Sequence, residues 1–467
     1  MENNHKDRTI FENWKTTMEL ALFILDQEGL YDLEDWGGRE VIYDILPEGM
    51  VENFDMIQPA LVDTIIKEKN RPTAAAFCKN MLDYANFMLK GLDSGTPLCY
   101  NYFAISVELC FAMGIMPICY ELICGLTAAL YKNGCEEGID RIEAEGYPDH
   151  LCSTQKGTAG FLLMGVIPKP DILLKPTTPC DPSNKMYEWT ARKLGIPLVA
   201  VESPYYRDER SMKYLVDDIK RTIEAMEKLT GNTLDEDKLR EHVGYANETV
   251  DHFIKIQELK KNVPCPDTGW HRPADTIFLT GIGTPMSAAY FKDVYEAVKA
   301  TADRGEGVIP EGKKEKRFAW GYTWECYDLP FFDWLEEEHG VTYMADTLTY
   351  FDPDVGMIDT SSVDTIIEGL AWRVMNMPMG RQTMGFSDMW INDFETVVKG
   401  HKADALILGG HMACKHFWAL NKLMSDKIKE KTGIPCLRFE MDMFDKRFTP
   451  PAELRRIVGE FVDTTFP

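Results

Sequence analysis

PDILLKPTTPCDPSNKMYEWTARKLGIPLVAVESP, residues 170–204, is the stretch from which the fold of this chain can be predicted. Its apolar run at 171–174 is typical of a buried strand in a parallel sheet, and Pro176 and Pro179 end that strand. Cys180 therefore follows the carboxyl end of a strand, which is where open α/β sheets bind their ligands.

A helix and a second strand follow in the same stretch. Asp181 is the predicted N-cap, Pro182 takes the first helical position, and the helix runs to about Leu194. Gly195 stops the helix, and residues 196–201, IPLVAV, predict the next buried strand. The stretch is thus a complete strand–helix–strand unit of a parallel sheet.

The same pattern occurs again near the C-terminus. Residues 403–414, ADALILGGHMAC, predict a strand and a loop that ends in Cys414. A helix over about 415–431 follows, and residues 433–439, GIPCLRF, repeat the Gly-Ile-Pro start of the next strand. Two such units, each with a cysteine after its first strand, indicate two related domains whose cysteines converge in one crevice.

These repeats predict an α/β fold with two related Rossmann- or flavodoxin-like parallel-sheet domains, with the site in the crevice between them. Apolar residues at helical spacing before residue 95 add a helical N-terminal region. In the second domain, residues 276–283, TIFLTGIG, predict a strand that runs into a glycine turn. The predicted regions are a helical N-terminal region at 1–95, a first α/β domain at 96–208, a helical connection at 209–270 and a second α/β domain at 271–467.

Charge and hydropathy exclude two classes of function. The net charge of −25 argues against a nucleic-acid or anionic-membrane surface as the main activity. The most apolar stretch, residues 102–131, is interrupted by Glu108, Pro117 and Glu121, and its uncharged part is too short for the ~20 residues of a membrane span. We interpret it as buried α/β core.

The 12 cysteines and the polar N-terminus, which lacks the apolar core of a secretory signal, predict a cytoplasmic protein. In that reducing compartment cysteines are thiols or metal ligands rather than disulfides. A simpler alternative is that most of them are small core residues. That alternative applies to the cysteines in apolar surroundings, which are Cys78, Cys99, Cys110, Cys119, Cys124 and Cys436.

Glu121 and Cys152 are further candidates near the predicted crevice. Residues 115–120, IMPICY, predict a strand, so Glu121 lies at its carboxyl end; the alternative is a surface or helix-start carboxylate. Cys152 stands in the polar break at 149–157, before a predicted helix. A helix N-terminus lowers the pKa of a thiol and favours thiolate ligation.

Cys152, Cys180 and Cys414 all stand in polar loops, unlike the cysteines assigned to the core. They lack the CxxC pairs of a zinc ribbon, but they can ligate an iron–sulfur cluster between domains. Three ligands would leave one iron of a [4Fe–4S] cube open as a Lewis acid and electron donor. A zinc site or purely structural cysteines are the alternatives. Cys326, near another predicted strand end, is either a spare ligand or a structural thiol.

Several short segments occur in an order that carries a family resemblance. The segments are Val107–Leu109 with Gly114–Pro117, Leu151–Ser153, Pro179–Asp181, Gly195–Pro197, Ala413–Lys415, and Gly433–Pro435 with Asp442 and Arg447–Phe448. With them, from about residue 98 to its end, the chain resembles the 2-hydroxyacyl-CoA dehydratase / benzoyl-CoA reductase subunit family, including the 2-hydroxyglutaryl-CoA dehydratases.

The resemblance implies that Cys152, Cys180 and Cys414 hold a [4Fe–4S] cluster in one subunit of a heterodimer with a paralogous second subunit. A separate ATP-dependent iron–sulfur activator protein would deliver single electrons, and an acyl-CoA would be the substrate. In the dehydratases of this family the thioester carbonyl becomes a ketyl radical, hydroxide leaves C2, a proton leaves C3 and the electron returns. Glu121 matches a family glutamate near the open iron and is expected to hydrogen-bond the leaving hydroxyl or to move a proton.

The chain departs from the family pattern in two places. Phe103 stands where a serine is expected, and Met412-Ala413 precedes the third cysteine in place of Arg-Ser, with His411 just upstream. The implied function is the iron–sulfur subunit of an anaerobic 2-hydroxyacyl-CoA dehydratase, a lyase. The alternatives are a subunit of an ATP-dependent benzoyl-CoA-type ring reductase and a non-catalytic electron-relay subunit.

Overall fold

The computed structural model describes residues 7–27, 39–47, 49–66, 71–178, 180–322, 324–383 and 385–467. Within them the chain forms two four-stranded sheets whose strands all pair in parallel, and helices flank both sheets. This confirms the predicted α/β class with two parallel-sheet domains. The division of the chain into four regions with exact boundaries stays a prediction.

The N-terminal region is helical where it is described, as predicted. In the first helix Phe11, Trp14, Met18 and Ala21 recur at three- and four-residue spacing, and all four are buried. This stripe packs against the long helix that ends at residue 93. The helices are α1 (Thr9–Leu25), α2 (Arg39–Ile45), α3 (Val51–Met56), α4 (Pro59–Ile66) and α5 (Arg71–Asp93).

The first sheet has the order β2-β1-β3-β4 and contains the strand predicted at 171–174. Its strands are β1 (Leu98–Asn101), β2 (Met116–Cys119), β3 (Ile172–Pro176) and β4 (Leu198–Val201). Every residue of β1, β2 and β3 is buried, which explains why these strands are short and mostly apolar. The flanking helices are α6 (Glu108–Ala112), α7 (Tyr120–Leu130), α8 (Glu136–Glu143), α9 (Ser153–Met164) and α10 (Asp181–Leu194).

Four helices follow before the second sheet, and they overturn one prediction. These helices are α11 (Glu209–Thr230), α12 (Glu236–Leu259), α13 (His271–Thr280) and α14 (Pro285–Asp303). The strand expected at 276–283 is wrong, because its first five residues form the second half of α13. Ala274 and Phe278, four residues apart, are both buried, and Thr276 Oγ1 donates to the carbonyl of Arg272, one turn earlier. A short apolar run does not distinguish a buried helix from a strand.

The second sheet repeats the order of the first, as β6-β5-β7-β8. Its strands are β5 (Lys316–Trp320), β6 (Val341–Tyr343), β7 (Ala405–His411) and β8 (Cys436–Met441). The two strand–helix–strand units predicted from the sequence therefore hold equivalent places, since β3 and β7 are the third strands of their sheets. The accompanying helices are α15 (Phe331–His339), α16 (Val363–Asn376), α17 (Gly380–Thr383), α18 (Ser387–Gly400), α19 (Lys415–Thr432) and α20 (Pro451–Thr465).

Candidate functional site

Each of the three predicted cluster ligands is the N-cap residue of a helix. Cys152 caps α9, Cys180 caps α10 and Cys414 caps α19. The predicted cap at Asp181 is wrong by one residue, since Asp181 is the first residue of α10. None of these caps makes a well-formed side-chain hydrogen bond to the first turn, but all three thiols stand at positive helix ends, where the first-turn backbone N–H groups oppose the rise of their pKa.

The three thiols line one cavity of about 160 Å³. Glu121 and Cys326 line the same cavity, so every candidate site residue from the sequence meets there. Cys152, Cys180 and Cys414 are partly buried, whereas Cys326 is buried. The repeat accounts for the convergence of Cys180 and Cys414, because β3 and β7 deliver them at equivalent points of two sheets.

Burial makes all three thiols weak acids when they are free. Burial is the main cause that raises the pKa of Cys152 well above its usual range, and the neighbouring Cys180 adds to it. Burial raises the pKa of Cys180 to about 12, and it also raises the pKa of Cys414. The free thiols are therefore protonated at neutral pH, and a bound metal would displace those protons.

Glu121 lies in the first turn of α7, directly after β2, as the sequence predicted. Gln155 Nε2 donates to Glu121 Oε1 at 2.6 Å, and the Cys119 thiol donates to Oε2 at 3.3 Å. Burial raises the pKa of Glu121 from 4.5 to about 6, against the opposing effect of the Gln155 hydrogen bond. A carboxyl group with a pKa near 6 can both hold and release a proton near neutral pH.

Lys175 is a neighbour of the site that the sequence analysis did not select. It is buried, its ammonium donates to Asn184 Oδ1, and it lies 5.6 Å from the ring centroid of Tyr102. Burial lowers the pKa of Lys175 to about 8, while Cys180 and Glu121 act in the opposite direction. The available signal was a lysine inside the apolar run of β3, one residue before the strand ends.

His411 ends β7 and contacts a predicted ligand. Its Nε2 atom lies 3.3 Å from Cys152 Sγ, and the Met443 N–H lies 3.4 Å from its Nδ1 atom. Burial lowers the pKa of His411, which favours the neutral ring. In the sequence His411 stands out only as a departure from the family pattern; its place three residues before Cys414 puts it near the predicted crevice but does not show that it contacts Cys152.

Comparison with known proteins gives a family for this architecture. The profile of the family described as 2-hydroxyglutaryl-CoA dehydratase, D-component, matches residues 103–464. The chain belongs to this family. The resemblance stated from the sequence is thereby confirmed, and membership in this dehydratase family makes the chain an enzyme subunit.

This chain is only distantly similar in sequence to individual relatives. It is 24% identical to a subunit of the benzoyl-CoA reductase of Thauera aromatica over 67% of this chain and 76% of the relative. It is 21% identical to the alpha subunit of the lactoyl-CoA dehydratase of Anaerotignum propionicum over 79% and 90%. It is 22% identical to the alpha subunit of the (R)-2-hydroxyglutaryl-CoA dehydratase of Acidaminococcus fermentans over 60% and 57%.

Two further observations concern membrane-spanning helices and single-ion metal sites in this chain. Among the described residues no helix is both long and apolar enough to cross a bilayer. In the same part of the chain, no group of three or more His, Cys, Asp or Glu side chains converges closely enough to hold a single metal ion.

Proposed function

We propose that this chain is the iron–sulfur subunit of a cytoplasmic 2-hydroxyacyl-CoA dehydratase, paired with a paralogous second subunit and activated by an ATP-dependent iron–sulfur protein. One observation carries the proposal. Cys152, Cys180 and Cys414, from three different helix N-termini, line one cavity together with Glu121. Relatives named as dehydratase alpha subunits support the pairing with a second subunit.

The donor set is of the chemical kind that an iron–sulfur cluster uses. A [4Fe–4S] cluster takes one thiolate per iron, so its ligands surround a volume and need not meet at one point. Three cavity-lining thiols supply the kind and number of donors that a cube with one open iron would need. The positive helix ends beside them would stabilise the negative charge of thiolate ligands. When bound, the cluster would supply single electrons and one open iron.

The overall reaction is the loss of water from a 2-hydroxyacyl-CoA to give a 2-enoyl-CoA. The thioester carbonyl would take up one electron to form a ketyl radical, which expels hydroxide from C2. A proton then leaves C3, and the electron returns at the end. Electrons therefore balance, and the net products are the enoyl thioester and water.

Glu121 and Gln155 form the acid–base part of the site. The carboxyl group has a pKa of about 6, so it can protonate the leaving hydroxyl or accept a proton. Gln155 Nε2 holds it in place at 2.6 Å. The Oε1 atom of Gln155 is buried without a partner among the described residues, so a substrate hydroxyl can donate to it.

Lys175 supplies a buried positive charge close to these groups. Its ammonium is held by Asn184 and the Tyr102 ring, and its pKa of about 8 leaves it mostly protonated at neutral pH. Negative charge on Cys180 or Glu121 favours that protonated form. Lys175 therefore offsets part of the negative charge that three thiolates bring into this cavity.

A ring reductase subunit is the second candidate, because a benzoyl-CoA reductase subunit is among the relatives. Anaerobic assays with the partner subunit and activator separate the two. Dehydration of a 2-hydroxyacyl-CoA supports the proposal, and reduction of benzoyl-CoA supports the alternative. A subunit that forms the cluster but acts on neither thioester would be an electron relay.

The presence of the cluster is tested first. Anaerobically purified protein should be brown, contain about four irons and four sulfides per chain, and bleach in air. EPR spectroscopy of the reduced protein identifies the cluster type. Zinc as the only stoichiometric metal in anaerobic material would contradict the proposal.

A further inference from the structure

The cavity at the three thiols includes an apolar wall built by α7 and α13, which we call the α7–α13 arm. On α7, residues 122, 125 and 129 follow Glu121 at helical spacing and line the cavity with it. On α13, residues 274 and 277 line the cavity beside Thr276 and Thr280, whose hydroxyl groups donate to backbone carbonyls of the same helix. The arm consists of Leu122, Gly125, Ala129, Trp270, Ala274 and Ile277.

The arm begins beside the acid–base pair of the site. Glu121 and Leu122 are adjacent in the first turn of α7, and Gly125 and Ala129 lie one and two turns further along the same face. A substrate whose C2 hydroxyl contacts Glu121 therefore has the α7 stripe along which its acyl side chain can extend. The distance from residue 121 to residue 129 along the helix is about 12 Å, which is longer than a medium-sized acyl side chain.

Packing does not explain why residue 125 of the arm is a glycine. It lies in the middle of α7, where glycine weakens a helix relative to alanine. A Cβ added there would meet only Phe444 Cε1, at 3.5 Å, which is an ordinary contact. Neither a positive φ nor a close approach requires the glycine. Its remaining effect is to leave open space in the cavity beside Glu121.

The arm itself carries no positive charge. Among the described residues that line the cavity, the groups able to become cationic are those of His411, Lys415 and His416. All three belong to the end of β7 and the start of α19, around the third thiol. A carboxylate at the far end of an acyl chain would therefore enter largely apolar surroundings without a cationic partner.

The buried cations beside α13 do not add unpaired positive charge to the arm. The buried cations Lys260 and Arg272 both pair with Asp267, at 3.3 and 2.8 Å. Trp270 is buried, and its indole N–H has no partner among the described residues. That donor suits an uncharged oxygen or a water, and it does not neutralise a carboxylate.

We infer that the α7–α13 arm binds the hydrocarbon side chain of an acyl-CoA whose C2 group lies at Glu121, and that it disfavours an acyl group ending in a second carboxylate. The inference rests on the proposed function, since it assigns the substrate class of that same site. It selects a branched aliphatic or aromatic 2-hydroxyacyl group over a 2-hydroxyglutaryl group.

The first test compares three thioesters by calorimetric titration into the anaerobically purified chain. The probes are lactoyl-CoA, 2-hydroxyisocaproyl-CoA and 2-hydroxyglutaryl-CoA, which offer the arm a methyl group, a branched hydrocarbon and a carboxylate. We expect the isocaproyl thioester to bind at least roughly tenfold more tightly than the glutaryl thioester. Equal or tighter binding of the glutaryl thioester would overturn the inference while leaving the proposed function intact.

The second test fills the arm. Gly125→Ala should bind 2-hydroxyisocaproyl-CoA several-fold more weakly, and Gly125→Leu at least roughly tenfold more weakly, and in both variants the loss should be smaller for lactoyl-CoA, whose methyl group reaches less far along the arm. Gly125→Ala should melt at the same or a higher temperature, because alanine favours the helix. A lost affinity is then not a folding defect.

Gly244→Ala is the matched control. Gly244 lies inside α12, and a Cβ there would meet nothing within 4 Å. It should gain stability like Gly125→Ala and bind all three thioesters like the wild type. Unchanged isocaproyl binding in both Gly125 variants would overturn the inference alone. Failure of the wild type to bind any of the thioesters would overturn the proposed function as well.

Discussion

The imidazole of His411 lies against the sulfur of Cys152, with 3.3 Å between Nε2 and Sγ. The Met443 N–H points at the other ring nitrogen, Nδ1, at 3.4 Å, and Asp442 is further away, at 3.7 Å. Nδ1 is thus an acceptor, and the ring proton is on Nε2, directed at the sulfur. A hydrogen bond to a ligating sulfur raises the reduction potential of an iron–sulfur cluster.

We predict that His411→Phe keeps the cluster but lowers its reduction potential. Phenylalanine fills the buried site without a donor, so the thiolate of Cys152 would hold more negative charge. The measurement is an anaerobic redox titration followed by EPR, with iron content as a check on occupancy. His401→Phe is the control, because His401 is equally buried but does not line the cavity. Identical potentials in both variants would show that the His411 contact does not act on the cluster.

A second prediction separates ligands from bystander cysteines. Cys180→Ser should lose most of its iron and sulfide, because Cys180 holds the helix-cap position equivalent to that of Cys414 in the repeat. Cys326→Ser should keep both, since Cys326 lines the cavity but lies in neither strand–helix–strand unit. The readout is iron and sulfide per chain. Equal losses would make Cys326 a ligand as well.

The sequence allowed prediction of the parts of the fold whose signals are local. The two Gly-Ile-Pro units become β3–α10–β4 and β7–α19–β8 because apolar runs, helix-ending glycines and buried strands lie close together in the chain. Cys180 and Cys414 could be placed for the same reason. The prediction of a strand at 276–283 was wrong because α13 is buried on several faces. Its sequence therefore lacks the clear helical spacing of apolar residues that a half-exposed helix shows.

Other features of the site depend on contacts between distant segments. The contact of His411 with Cys152 joins residues 259 positions apart, and no spacing in the sequence reveals it. The sequence does not predict that Lys175 lies near the site, because a lysine at the end of a strand is usually exposed. In the fold, Asn184 and the Tyr102 ring surround its ammonium group. Gly125 becomes informative only when the empty space beside it is known.

A third prediction concerns a buried ion pair between α6 and α16. Arg373 Nη2 contacts Glu108 Oε1, and both side chains are almost completely buried. Arg373→Met would leave the Glu108 carboxylate buried and unpaired, so the free energy of unfolding should fall by about 3–5 kcal/mol. Denaturant unfolding measures it. Arg456→Met, which removes two exposed ion pairs on α20, is the control and should show no resolvable change.

A fourth prediction uses the pKa of Glu121. Because burial raises that pKa from 4.5 to about 6, the folded state binds the proton more tightly than the unfolded state does. The stability that this proton contributes is fully present below pH 4.5 and is lost as the pH rises through about 6. Glu121→Gln does not titrate, so its unfolding free energy relative to the wild type should rise by about 2 kcal/mol between pH 4.5 and pH 8. A difference that does not vary with pH would contradict the raised pKa.

The last prediction tests Glu121 in turnover. Glu121→Gln should keep the wild-type iron and sulfide content, because Glu121 is not among the proposed ligands and glutamine has nearly the same size. Its dehydration rate should fall by about 10²–10⁴-fold, the usual effect of losing an acid–base group. The limb of the pH–rate profile near pH 6 should also disappear, since that limb would report the Glu121 carboxyl group.

Gln155→Glu is the companion variant. It removes the amide donor that lies 2.6 Å from Glu121 Oε1 and places a second carboxyl group there, which should move that limb to higher pH. A Glu121→Gln variant with full iron content and the wild-type rate would remove the carboxyl group from the mechanism, and it would favour the electron-relay alternative, in which no residue of this cavity acts on a substrate.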